Sequence, residues 1–226
     1  MRNILLALAN NAYFWAYPKV RWWAGRNRRR SDVRFRSISP NLHQAYDSQG
    51  KTIYFAIRSR CRLYFWPQGI EHRLDFLKRK YQSPACHVEA GDIVFDVGAN
   101  IGEFSVAVAS TAKKIYSFDP DQNCWAALIA NANLCSNITP LCEGLGKESG
   151  EATFYIASRT ADSSFVRPGV YVDKVSIPIT TLERKVQELS LPRVDFLKLE
   201  AEGYEPEILE GAGEILLIFK KIAVDE

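Results

Sequence analysis

Apolar and polar positions change their period repeatedly along the chain, and each change marks an element. The apolar run Ile93–Val97 stops at the small residues Gly98-Ala99-Asn100-Ile101-Gly102. That pattern predicts a buried strand entering a Gly-rich turn, then a helix near 102–111. The rhythm repeats with a strand at 114–119, a helix at 121–133 and a strand near 138–143. An extended piece at 151–157 follows the turn signals Gly146 and Gly150, and a helix covers about 181–189. A strand at 194–200, a helix starting near Tyr204 and a final strand at 218–225 complete the series. Upstream, 3–17 has helical spacing and Ile70–Tyr81 repeats it at Leu74, Phe76 and Leu77. The segments 52–57 and 61–66 read as two strands of a hairpin. Alternation of this kind predicts a doubly wound α/β fold: a mostly parallel sheet, helices on both faces, right-handed crossovers, and a ligand at the carboxyl ends of the strands.

Composition adds boundaries. At 226 residues, with 47% hydrophobic and 24% charged, the chain is one globular domain with an appendage. The net charge of +3 conceals an asymmetry: residues 1–40 carry nine Lys or Arg against one Asp, so the remainder is net acidic. The division is therefore a basic aromatic segment at 1–40, an α/β extension at 41–88 and a catalytic body at 89–226. Trp22, Trp23 and Arg28-Arg29-Arg30 suit peripheral contact of residues 1–30 with an anionic membrane face, or equally a packed helix and a solvated basic linker. Nucleic acid is not an expected partner. Ile4–Ala9 is far too short to span a bilayer, and Arg2 before so short a core makes a poor signal peptide. Five cysteines without metal-ligand spacing point to reduced thiols and a cytoplasmic location, which makes the Asn137-Ile138-Thr139 sequon incidental. Three scattered histidines argue against a histidine metal site or a Ser-His-Asp triad.

The candidate chemistry begins at the glycine turn. Glycine there admits positive φ and lets a ligand approach the backbone, and the following helix end suits a polar or anionic group such as a carboxylate. The spacing Asp96-x-Gly98-x-x-x-Gly102 is that of S-adenosylmethionine sites, not the G-x-G-x-x-G of dinucleotide folds. Asp96, Gly98, Ala99, Asn100 and Gly102 are the candidate cofactor-binding residues of this turn. Asp119 ends the next strand, 23 positions after Asp96, where an acid can accept both hydroxyls of a ribose. Pro120 then suits the first turn of the next helix. Glu143, at the end of the third strand, joins the cofactor-binding group.

The stretch Lys198-Leu199-Glu200-Ala201-Glu202-Gly203-Tyr204-Glu205 closes the fourth strand, which should lie beside the first. Strand periodicity puts Lys198, Glu200 and Glu202 on one side if the strand runs that far. Glu200 and Glu202 are candidate general bases, and Lys198 a holder of these carboxylates or of an acceptor oxygen. Glu205 reads as a helix-capping acid.

These motifs, with Thr180-Thr181-Leu182-Glu183 and Leu209-Glu210-Gly211-Ala212, resemble in order the FkbM methyltransferase family from about Gly91 onward. The resemblance implies a class I, Rossmann-like methyltransferase that moves a methyl group from S-adenosylmethionine to oxygen of a sugar, glycan or small metabolite, with no metal assigned. Two positions depart from the family pattern: Asp119 stands where Glu is usual, and Glu200 where Asp is usual. The terminal antiparallel strand pair of class I enzymes is expected to be absent. A non-catalytic cofactor-binding or membrane-associated module and an NAD-dependent oxidoreductase are the competing readings. The glycine spacing and the lack of a Tyr-Lys or His-Asp pair argue against the oxidoreductase.

Overall fold

A computed structural model describes residues 32–56, 69–157 and 163–225. The described chain opens with an antiparallel sheet of β1 (Arg34–Ser39), β2 (Leu42–Tyr46) and β3 (Thr52–Phe55), in that order. The strand expected at 52–57 is β3, which pairs with β2; the partner expected at 61–66 lies outside the described residues. The boundary proposed at residue 40 falls between the paired strands β1 and β2. Residues 1–30, with their proposed membrane contact, also lie outside the described residues. Among the described residues no helix is long and apolar enough to cross a membrane.

Helix α1 (Ile70–Tyr81) buries Ile70, Arg73, Leu77 and Tyr81, one stripe at helical spacing. Leu77 and Tyr81 pack into the same cluster as Val94, Phe104 and Phe196, so α1 belongs to the core of the parallel-sheet body. The central sheet is built from β4 (Ile93–Val97), β5 (Lys114–Phe118), β6 (Ile138–Leu141), β10 (Phe196–Leu199) and β11 (Ile222–Val224). All neighbours are parallel, in the order β11-β10-β4-β5-β6. Both faces are covered. Val94, Ile115 and Phe196 meet α1, α2 (Glu103–Val108) and α3 (Gln122–Ala132) on one side. Phe95, Phe118 and Leu197 meet α4 (Leu182–Glu188), α5 (Glu205–Glu210) and the 3₁₀ helix Gly213–Ile218 on the other. Burial on both faces explains why these strands read as near-continuous apolar runs. The α/β class and its parallel sheet stand as expected.

Several local expectations change. The strand expected at 218–225 is present in shortened form: Ile218 ends the 3₁₀ helix Gly213–Ile218, Phe219 makes a parallel bridge to Val194, and Ile222–Val224 forms β11. The strand β9 (Asp173–Thr180) was not anticipated; it pairs antiparallel with β8 (Gly150–Ile156) and parallel with the short β7 (Gly144–Leu145). Most β9 residues are exposed, so alternation gave no signal. Pro120 precedes helix α3: the cap is Asp121, whose carboxylate accepts the Asn123 N–H at 2.9 Å. Asn137 of the sequon is engaged internally, donating to the Ala109 and Ala112 carbonyls at 2.9 Å each.

One buried side chain ties the front sheet to the glycine turn. The Asn131 amide accepts the Tyr54 N–H and donates to the Tyr54 carbonyl, both at 2.7 Å, on the edge of β3 away from β2. Its second N–H reaches the Ile101 carbonyl at 2.6 Å.

Candidate active site

The order of strands reverses at β4: β5 and β6 extend to one side of it, β10 and β11 to the other. Such a reversal leaves a crevice at the carboxyl ends of the strands. A cavity of about 330 Å³ opens there, within the range of small-molecule sites. Of the sequence-predicted residues, Gly98, Ala99, Asn100, Asp119, Glu143, Lys198, Glu200 and Glu202 line it. Asp96 and Gly102 do not; they lie beneath the turn.

The two glycines are required by packing. Gly98 has φ +69°, and a Cβ there would sit 1.7 Å from the Glu200 carbonyl oxygen. Its lack of a side chain lets β4 and β10 end side by side. Gly102 has φ +79°, and a Cβ would stand 2.9 Å from Leu128 of α3. Asn100, at φ +53°, completes the left-handed turn.

Asp96 is fully buried. It accepts the Ser105 hydroxyl at 2.6 Å and pairs with Lys198 at 3.2 Å. Lys198, equally buried, donates to the Val97 and Gly98 carbonyls at 3.1 and 2.7 Å. The ammonium thus pins the end of β4 from β10, leaving its outer contact, at 3.5 Å, to Glu200.

Asp119 is 7% exposed at the tip of β5. Its carboxylate accepts the Asn100 N–H at 2.6 Å and the Asp121 N–H at 2.9 Å. Burial, and then the charge of Asp121, push its pKa up to about 7. Glu143 is held by Lys185 at 2.5 Å, and Lys185 also meets Glu188 at 2.6 Å. Ser163 donates to Asp121 at 3.0 Å.

Glu200 stands on the opposite rim. It receives Lys80 at 2.7 Å and the Tyr81 hydroxyl, both from the end of α1. Burial opposes its charge, but Lys198, Lys80 and Tyr81 together hold its pKa well below the ordinary carboxyl range. The strand ends at Leu199, so Glu202 does not continue the face of Lys198 and Glu200 as expected; it sits exposed in a left-handed turn at φ +54°. The Glu205 carboxylate accepts the Ala201 N–H at 2.5 Å, a structural role as anticipated.

Sequence reasoning missed the wall built by α1. Arg73, Phe76, Lys80 and Tyr81 all line the cavity, and Arg73 makes a bidentate pair with Glu103 at 3.1 and 2.9 Å. A signal was present: Arg73 falls in the stripe of Ile70, Leu77 and Tyr81, a cation on a face predicted to be buried. Phe154 and Phe165 close the other side.

Comparison with known proteins gives the family. The methyltransferase FkbM domain matches residues 96–224. The hexuronic acid methyltransferase AglP of Haloferax volcanii is 27% identical over 126 residues, 54% of this chain and 51% of that protein. The chain thus spans about half the length of this curated relative. Among solved structures, the FkbM methyltransferase of Methylobacillus flagellatus aligns with a TM-score of 0.46 at 18% identity, covering 70% of this chain and 40% of that one. An rRNA methylase of Streptococcus thermophilus aligns at 0.38 and 13%, covering 67% of each. With more than half of its residues matched in one continuous stretch, the chain belongs to the FkbM methyltransferase domain family.

Proposed function

We propose that this chain is an S-adenosylmethionine-dependent methyltransferase acting on a hydroxyl of a sugar, glycan or small metabolite. The observation that carries the reading is Asp119, a buried carboxylate at a strand tip that opens onto the cavity beside the Gly98–Asn100 turn. Each of its oxygens is used by one N–H, and a carboxylate oxygen accepts more than one hydrogen bond. Two ribose hydroxyls suit what remains. Phe118, Leu145, Phe154 and Phe165 offer an apolar and aromatic wall for a base, with Glu143 at its edge. The lining acids Glu103, Asp119, Asp121, Glu143, Glu200 and Glu202 outnumber the cations Arg73, Lys80 and Lys198, which favours a cationic ligand.

S-adenosylmethionine, when bound, supplies an electrophilic methyl group. The chain's own work is alignment and proton removal. In-line displacement needs the acceptor oxygen held at near contact distance, and the rim of α1 with Phe76 and Tyr81 lies where an acceptor would be bounded. Lys198 serves by fixing the ends of β4 and β10 and not by touching the acceptor. Glu200 has little proton affinity, because its neighbours stabilise the anion; Glu202, on the open rim, is the better base. The relative AglP acts on a hexuronic acid, which makes sugar acids and neutral sugars the first acceptors to try.

The test is calorimetric titration with S-adenosylmethionine, S-adenosylhomocysteine and NADH, followed by transfer of labelled methyl to hexuronic acids and neutral sugars. Binding of the first two ligands and label on an acceptor oxygen are expected. Binding of NADH alone would sink the cofactor assignment, and binding without transfer to any hydroxylated acceptor would sink the enzymatic part.

A further inference from the structure

Glu200 is held from three directions. Lys80 Nζ lies 2.7 Å from Oε1, the Tyr81 hydroxyl donates to Oε2, and Lys198 Nζ lies 3.5 Å from Oε2. Lys80 also reaches Asp225 at 2.5 Å, and Asp225 continues the β10–β11 ladder by donating its N–H to the Leu199 carbonyl at 3.1 Å. Both ammoniums sit over the Tyr81 ring, 4.8 Å (Lys80) and 5.2 Å (Lys198) from its centroid. The cluster contains three carboxylates (Asp96, Glu200 and Asp225) against two ammoniums, so one negative charge is left over. Of the three acids only Glu200 lines the cavity. Lys80, Tyr81 and Asp225 lie outside the matched domain, which spans 96–224.

We infer that Tyr81 and Lys80 are positioning residues that hold the Glu200 carboxylate as a fixed counter-charge for the sulfonium of S-adenosylmethionine, an inference that rests on the proposed cofactor. The geometry favours this over proton removal. A base must release its partners to take a proton, whereas Lys80, Lys198 and Tyr81 each favour the Glu200 anion and restrain its rotation, and together they outweigh burial. A hydroxyl donor and an ammonium on α1 also make the site depend on the docking of that helix, which Leu77 and Tyr81 secure in the core.

The inference is tested on the full chain by titrating S-adenosylmethionine and S-adenosylhomocysteine, which differ in the sulfonium charge. Glu200→Gln should lower the preference for the charged ligand, relative to the unmodified chain, on the order of tenfold, the scale of one nearby opposite charge. Tyr81→Phe and Lys80→Met should lower it by less, about threefold each, because either change loosens the carboxylate without removing its charge. In the same two variants the carbon-13 carboxyl signal of Glu200 should titrate at higher pH. A merely structural role weakens both ligands equally and leaves the ratio unchanged; that result in Glu200→Gln overturns the counter-charge. A changed ratio in Glu200→Gln with no change in Tyr81→Phe or Lys80→Met overturns the positioning roles. Should Glu200→Gln fail to fold, the ratio and titration of the other two variants decide. An unmodified chain that binds neither ligand overturns the cofactor reading, and this inference falls with it; binding of both with an unmoved ratio overturns this inference alone.

Discussion

Asp119 and Glu200 end strands that flank β4 on opposite sides, and their surroundings drive them in opposite directions. Asp119 is buried next to another acid, and its pKa is pushed up to about 7. Glu200 is partly buried as well, yet two ammoniums and a phenol hold it well below the ordinary range. The same sheet geometry delivers both carboxylates to one cavity. Their charge states are set by residues that approach from elsewhere: Asp121 follows Asp119 in the chain, whereas Lys80 and Tyr81 come from a helix that precedes Glu200 by about half the chain. A strand tip fixes where an acid is; its neighbours fix what the acid can do.

The largest effect should come from removing the packing that brings the two strand ends together. Gly98→Ala inserts a Cβ into the Glu200 carbonyl at a positive φ, and should cost about 3 kcal/mol or more of stability. Thermal unfolding checks this; an unchanged Tm would mean that β4 and β10 can part without loss. Next, Asp119→Ala should weaken S-adenosylmethionine roughly 10- to 150-fold, from hydrogen bonds to a charged group worth about 1.5–3 kcal/mol. Calorimetry on the folded variant measures it, and unchanged affinity would remove Asp119 from the site.

A smaller effect, and one that separates the two acids directly, is on pH dependence. Ribose hydroxyls require the ionised Asp119 as acceptor, so affinity should fall as pH drops below about 7 and approach a tenfold loss per pH unit well below it. A flat profile would show that this carboxylate takes no part in binding. Stability should carry both signs. Asp119 binds its proton more tightly folded than unfolded, so its contribution declines as pH rises from the ordinary carboxyl range toward about 7. Glu200 binds its proton less tightly folded, so its contribution is present above the ordinary carboxyl range and is lost as pH falls through and below it. Profiles of Tm against pH for Asp119→Ala and Glu200→Gln should therefore diverge from the unmodified chain in opposite directions. The smallest effect is expected from Lys185→Met. It frees Glu143, a partly exposed acid, and should change cofactor affinity by no more than about 1 kcal/mol.

Much of this site was legible along the chain because it is local. An apolar strand, a turn that needs glycine and a strand tip that carries an acid each lie within a dozen residues, and periodicity alone marks β4, β5 and α3 to within a few positions. Other segments carry no such pattern. Strands β9 and β1 are largely exposed, and β2 buries the polar His43 and Gln44. Helix α1 was recognised as a helix, yet nothing in its spacing says which element its buried face meets.

By itself, then, the sequence determined the parallel α/β class and the acids at the strand tips, because strand and helix periods and turn chemistry are properties of short segments. Only the tertiary structure decided that Gly98 serves the neighbouring strand, that Lys198 is spent on backbone carbonyls, that Glu202 leaves the strand's face, and that Glu200 is clamped by Tyr81 and Lys80. Those outcomes depend on distances between residues far apart in the chain, and on the burial that makes an ionised group's partners matter.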